Sequence, residues 1–158
     1  SVMKTPNLAL ILSLFLFSLS FGFSSCAKTG CTNPKSDNYN PDATKDDGTC
    51  VAWRDKFIAS YLINSDNCST SPGSTYTLSL TASAVDPDKV LFTDGYLQWE
   101  GEVSSENEII ISNQTGNANG SAFTISGNCT ISDVNLTMNY TISTNGQAAS
   151  CVAQGAKQ

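Results

Sequence analysis

The chain has 158 residues, one domain's worth, and its 8 basic against 14 acidic residues leave a net charge of −6. No basic run is present to neutralise phosphates, which argues against a nucleic-acid partner. The absence of histidine removes the commonest general base and the commonest zinc ligand.

Met3 and Lys4 open a leader whose apolar run, Leu8 to Phe23, is shorter than the roughly 20 residues of a spanning helix. A basic start, an apolar centre and small residues behind it read as a secretory signal over residues 1–26. It closes on Phe23-Ser24-Ser25-Cys26, and small residues followed at once by cysteine resemble the lipobox of bacterial lipoproteins. That resemblance implies lipid attachment at Cys26 and a membrane partner reached through the anchor. Ordinary cleavage after Ala27 also meets the small-x-small pattern and would give a freely secreted chain.

Residues 27–52 are a turn-rich spacer. Cys31 and Cys50 enclose 18 residues of mainly turn-forming character, "TNPKSDNYNPDATKDDGT", and a bridge between them would staple the segment. The stretch resembles a short repeat of exported Bacteroidota proteins, Cys-Thr-x-Pro, then Asn-Tyr-x-Pro-x-Ala, then Asp-Asp-Gly-Ser-Cys. Cys31, Thr32, Pro34, Asn38, Tyr39, Pro41, Ala43, Asp46, Asp47, Gly48 and Cys50 fall in register with it, and Thr49 takes the place of the serine. Asp42, Asp46 and Asp47 are hard oxygen ligands of the kind Ca²⁺ takes, but the spacing is not that of an EF-hand. The competing account is that Asn and Asp serve their own turns. No other cofactor is expected.

From Val51 onward the composition turns to Thr, Ser, Val, Ile and aromatics in period-two runs. Trp53 to Phe57 reads as one helical turn, opening a domain over 53–158. Strands are predicted over 58–66, 75–83, 89–93, 96–104, 107–112, 121–126, 130–142 with a break, and 148–154. Tyr76, Leu78 and Leu80 alternate with Thr77, Ser79 and Thr81, and Leu136, Met138, Tyr140 and Ile142 alternate with Thr137, Asn139 and Thr141. One apolar and one hydroxylated face per strand predicts an antiparallel sheet, wet on one side. Turn signals at Asp94-Gly95, Gly127-Asn128 and Asn145-Gly146 keep the connections short, so sequence neighbours should pair.

The fold expected is all-β: an up-and-down meander of about eight strands forming a small barrel, complete or incomplete, with a two-sheet β-sandwich as the alternative. First and last strands are neighbours in a closing meander. That order selects Cys68–Cys151 among the three pairs that Cys68, Cys129 and Cys151 could make, and Cys129 is read as a buried, inert thiol. Tyr76, Leu78, Leu80, Phe92, Leu97, Trp99, Phe123, Ile125, Leu136, Met138 and Tyr140 are the inward candidates. Their bulk predicts a filled barrel with no pocket of several hundred cubic ångströms.

"RDKFIASYLINSDNC", "SGNCTISDVNLTMNYTIS" and "SCVAQGAKQ" are similar to a group of small Bacteroidota envelope lipoproteins treated as lipocalin-like. The resemblance implies an exported lipoprotein of the outer membrane, facing the periplasm or the cell surface, and names no activity. No catalytic residue is assigned: no nucleophile elbow or phosphate loop occurs, and Glu100 and Glu102 read as a solvated strand face. The expected role is non-catalytic, structural or interaction-based, with a protein or glycan partner. The alternative is a lipocalin-like binder of a small apolar ligand.

Overall fold

The structure, a computed structural model, describes residues 27–68, 74–118 and 120–158; the leader and its Cys26 lie outside them. A single helical turn, α1 (Trp53–Phe57), leads into eight strands: β1 (Ala59–Asp66), β2 (Tyr76–Ala82), β3 (Lys89–Thr93), β4 (Gln98–Ser105), β5 (Glu108–Ala118), β6 (Ser121–Ser132), β7 (Asn135–Thr144) and β8 (Gln147–Lys157). Each pairs antiparallel with the next, and β8 returns to β1, so the sheet is a closed barrel in the order β1 to β8. Closure leaves no unpaired edge. The meander predicted from alternating faces is therefore present and complete, and the sandwich is not formed.

Alternation decides which side chains fill the barrel. Tyr61, Ile63, Leu78, Leu80, Val90, Phe92, Ile109 and Leu136 are buried with essentially no solvent contact. Each fully buried Leu, Ile or Phe contributes roughly 1.5–3 kcal/mol of hydrophobic stabilisation. Phe92 and Trp99 face each other across β3 and β4 with rings stacked 5.5 Å apart. Outward positions carry residues such as Thr137, Asn139 and Thr141. A membrane-spanning barrel has the opposite arrangement, apolar outside and polar within. Among the described residues no helix is long and apolar enough to cross a membrane.

Several strand boundaries differ from expectation, and β8 runs to Lys157 rather than stopping at 154. Gly127 and Asn128, read as a turn, lie inside β6, where Gly127 pairs with Tyr140. Gly127 has φ +156°, and a Cβ there would run into the backbone of Asn139 and Tyr140, so glycine serves close strand approach rather than a reversal. The reversal falls at Asp133-Val134, with Asp133 at φ 54°. The fifth strand continues to Ala118 rather than stopping at 112, past a bulge between Ile111 and Gln114. Beyond that bulge Gln114 stands in for a ladder residue: its side-chain amide donates to the Glu100 carbonyl at 2.7 Å and its oxygen accepts from the Glu100 amide at 2.9 Å.

The strand directions give the barrel two unlike ends. One is the base, where β1 starts, the 83–88 and 106–107 connections turn, and α1 packs with Phe57 fully buried. The stapled segment docks there too, through Lys35 to Asp88 and Glu102 and through Lys56 to Asp37 and Glu106. The other end carries the 94–97 and 145–146 turns and is open.

Both predicted bridges are formed. Cys31 and Cys50 are joined with Cα atoms 4.8 Å apart, and Cys68 and Cys151 with Cα atoms 5.4 Å apart. Two disulfides place the folded chain in an oxidising, exported compartment. Cys129 is left as a buried free thiol.

Candidate functional site

The open end holds a cavity of about 380 Å³, which corrects the expectation of a barrel filled throughout. The expected inward residues do point into the barrel, but only some, such as Leu78, Leu80, Phe92 and Leu136, pack its interior, while Tyr76, Leu97, Trp99, Ile125, Met138 and Tyr140 line the open space. The physical reason is strand length. β5, β6 and β8 run 11 to 12 residues, longer than the segments predicted for them, and with β7 they carry the wall above the packed layers of the core. The volume lies within the range usual for small-molecule sites.

The floor and walls are apolar, made by Leu97, Ile125, Met138 and Ile142. Four aromatic residues, Tyr76, Tyr96, Trp99 and Tyr140, surround the same space. Trp99 is 5% exposed, and its buried Nε1–H has no acceptor among the described residues. That nitrogen presents no surface to the cavity, so Trp99 meets it through ring carbons. Tyr96 stands on the rim at 82% exposure.

One carboxylate is turned inward by the backbone. β1 buries Tyr61 and Ile63, and continued alternation would send Ser65 inward next. The register against β8 shifts between Ile63 and Ser65, and the phase changes so that Asp66 joins the interior set, paired with the buried Ala153. Re-aiming one side chain is a known use of a bulge. Asp66 accepts hydrogen bonds from the Tyr76 hydroxyl at 2.7 Å, from the Tyr140 hydroxyl at 3.0 Å and from the Cys68 amide at 2.9 Å. A second carboxylate, Asp94, sits in the turn between β3 and β4, where it accepts from the amides of Tyr96 and Leu97 at 2.8 and 2.7 Å.

These surroundings hold the two inner phenols in their neutral form. Burial pushes the Tyr76 and Tyr140 hydroxyls well above the usual tyrosine range, and the negative charges of Asp66 and Asp94 add to the effect. Each phenol therefore keeps its proton and spends it on Asp66. Tyr61, deeper in the barrel, donates to the Phe57 carbonyl at 3.1 Å and is pushed up to about 12 by burial.

The residues singled out in the sequence fall elsewhere. Asp42 pairs with Lys28 at 3.1 Å, Asp46 accepts from the Gly48 amide at 2.8 Å, and Asp47 accepts from the Thr49 amide and hydroxyl at 3.0 and 2.6 Å. Each serves its own turn or neighbour, and no group of three or more metal-ligating side chains assembles among the described residues. Glu100 and Glu102 lie on the outer wall, paired with Lys89 at 3.5 Å and with Lys35 at 3.0 Å. Tyr76, Leu97, Trp99 and Tyr140 were expected inside and are. Asp66 and Asp94 are not singled out in the sequence: unbroken alternation from Tyr61 and Ile63 would turn Asp66 outward, and Asp94-Gly95 reads as an ordinary turn.

No family model matches this chain, and none of the curated proteins or solved structures matches it.

Proposed function

We propose that this protein is an exported, non-catalytic binder that holds a small, largely apolar molecule in the open end of its barrel. The observation that supports the reading is the 380 Å³ cavity with aromatic and aliphatic walls above a packed base. In the same proposal the chain is anchored to the bacterial outer membrane by a lipid on Cys26, in keeping with its likeness to envelope lipoproteins. The experiment is titration of the folded protein with fatty acids, sterols, haem and aromatic compounds of each charge type, followed by calorimetry and by Trp99 fluorescence. Saturable one-to-one binding at micromolar affinity or better is expected for at least one class. Failure of every class would leave the alternative, a structural or interaction role with a protein or glycan partner, which the packed lower barrel favours. For the anchor, Cys26→Ala should move the protein from the membrane fraction to the soluble one, and a wild-type chain already soluble would overturn that part.

A further inference from the structure

The charge around the cavity is one-sided. The described Lys and Arg residues are Lys28, Lys35, Lys45, Arg54, Lys56, Lys89 and Lys157, and every one lies in the stapled segment or toward the base. None lines the cavity, whereas Asp66 and Asp94 both do. Neither carboxylate has an ion-pair partner among the described residues. The two inner phenols lean the same way. Tyr76 and Tyr140 direct their protons to Asp66, so toward the cavity their phenol oxygens have only lone pairs left to offer. A half-buried carboxylate held by three neutral donors remains a net negative charge in a low-dielectric setting, where an opposite charge is attracted more strongly than in water. Ring faces surrounding such a space attract cations through their quadrupoles.

Resting on the binder reading, we infer that the ligand is an organic cation, a protonated amine on an apolar body, with its ammonium group between Asp66 and Asp94 and its body against Trp99, Met138 and Ile142. Carboxylate ligands such as fatty acids are disfavoured at the same site, because they would bring a third negative charge and no donor. The amine is the source of positive charge that the chain leaves out of its own upper half.

The test uses phenethyl, naphthylethyl and decyl bodies, each as the ammonium, the alcohol and the carboxylate, titrated by calorimetry at neutral pH. The ammonium form is expected to bind at least about tenfold more tightly than the alcohol of the same body, with the carboxylate weakest. Asp94→Asn keeps the oxygen that caps the Tyr96 and Leu97 amides, and it should cut ammonium affinity by roughly three- to tenfold while leaving alcohol affinity unchanged. Asp66→Asn should do the same, with a circular-dichroism melt confirming the fold. Alcohol binding as tight as ammonium binding, or carboxylate binding tightest, would overturn the cation inference and leave the binder standing. No binding by any member, with none in the wider panel, would overturn both.

Discussion

The Cys68–Cys151 bridge should carry a large part of the barrel's stability, and the Cys31–Cys50 bridge very little. A cross-link stabilises chiefly by removing loop-closure entropy from the unfolded chain, and the effect grows with the logarithm of the loop. With a sequence separation of 83, the chain-entropy relation gives about 4.5 kcal/mol at 25 °C for Cys68–Cys151. With a separation of 19 it gives about 3 kcal/mol for Cys31–Cys50. The second figure acts on a different body of structure. The stapled segment contributes no side chain to the barrel's core cluster and is tied to the base by partly exposed ion pairs, which are worth little. Cys68→Ser/Cys151→Ser should therefore lower the barrel's unfolding free energy by about 4–5 kcal/mol, or Tm by roughly 15–20 °C, while Cys31→Ser/Cys50→Ser changes it by less than about 1 kcal/mol. Urea titrations followed by Trp fluorescence and near-ultraviolet circular dichroism measure both. Equal losses in the two variants, or a loss below about 1 kcal/mol in the first, would refute the reasoning.

Gly127→Ala should destabilise by more than about 2 kcal/mol in the same titration, because the new methyl group meets backbone of Asn139 and Tyr140 that cannot rotate away. Cys129, whose thiol burial pushes up to about 12, should resist iodoacetamide in the folded protein and react once urea unfolds it, as read by mass spectrometry. Stability should decline in alkali: Tyr61, Tyr76 and Tyr140 keep their protons to higher pH when folded than when unfolded. The native state then binds more protons, so their contribution is complete below about pH 10 and is lost as pH rises through the folded values, visible as a falling urea midpoint. Chelation of divalent ions should leave the melting temperature unchanged, since Asp42, Asp46 and Asp47 already have donors or a cation of the chain's own.

The barrel was legible because most of its strands announce themselves by strict alternation. β2 buries Leu78 and Leu80, and β4 buries Trp99 and Val103, with polar residues between. Gly127 looks like punctuation and is not. The odd-numbered set Phe123, Ile125, Cys129 and Ile131 keeps one phase straight through Gly127, and the phase changes to even only at Leu136. That change located the turn at Asp133-Val134 more surely than the Gly-Asn pair did. The upper part of β5 offers no such signal, because the run through and past its bulge, Ser112, Asn113, Gln114 and Thr115, includes no apolar residue to mark a face. The cavity depends on these hidden lengths and on the β1 bulge. The sequence displayed its aromatic walls, while the inward turn of Asp66 comes from a register shift that no composition records.

The stapled segment enters at the base, and the last residue, Gln158, returns there with its amide on the Ser60 carbonyl. Whatever holds the chain ahead of residue 27 thus holds the barrel by its foot. An eight-residue strand such as β1, tilted as barrel strands are, sets the rim about 20 Å above that foot. A tether there would leave the opening facing bulk solvent, and among the described residues the rim has hairpin turns and strand ends, with neither terminus of the described fold among them. On the proposed reading of an anchored binder, attachment and capture would lie at opposite ends of one axis, and the turns at 94–97 and 145–146 could be lengthened or exchanged to suit another guest without disturbing the mooring.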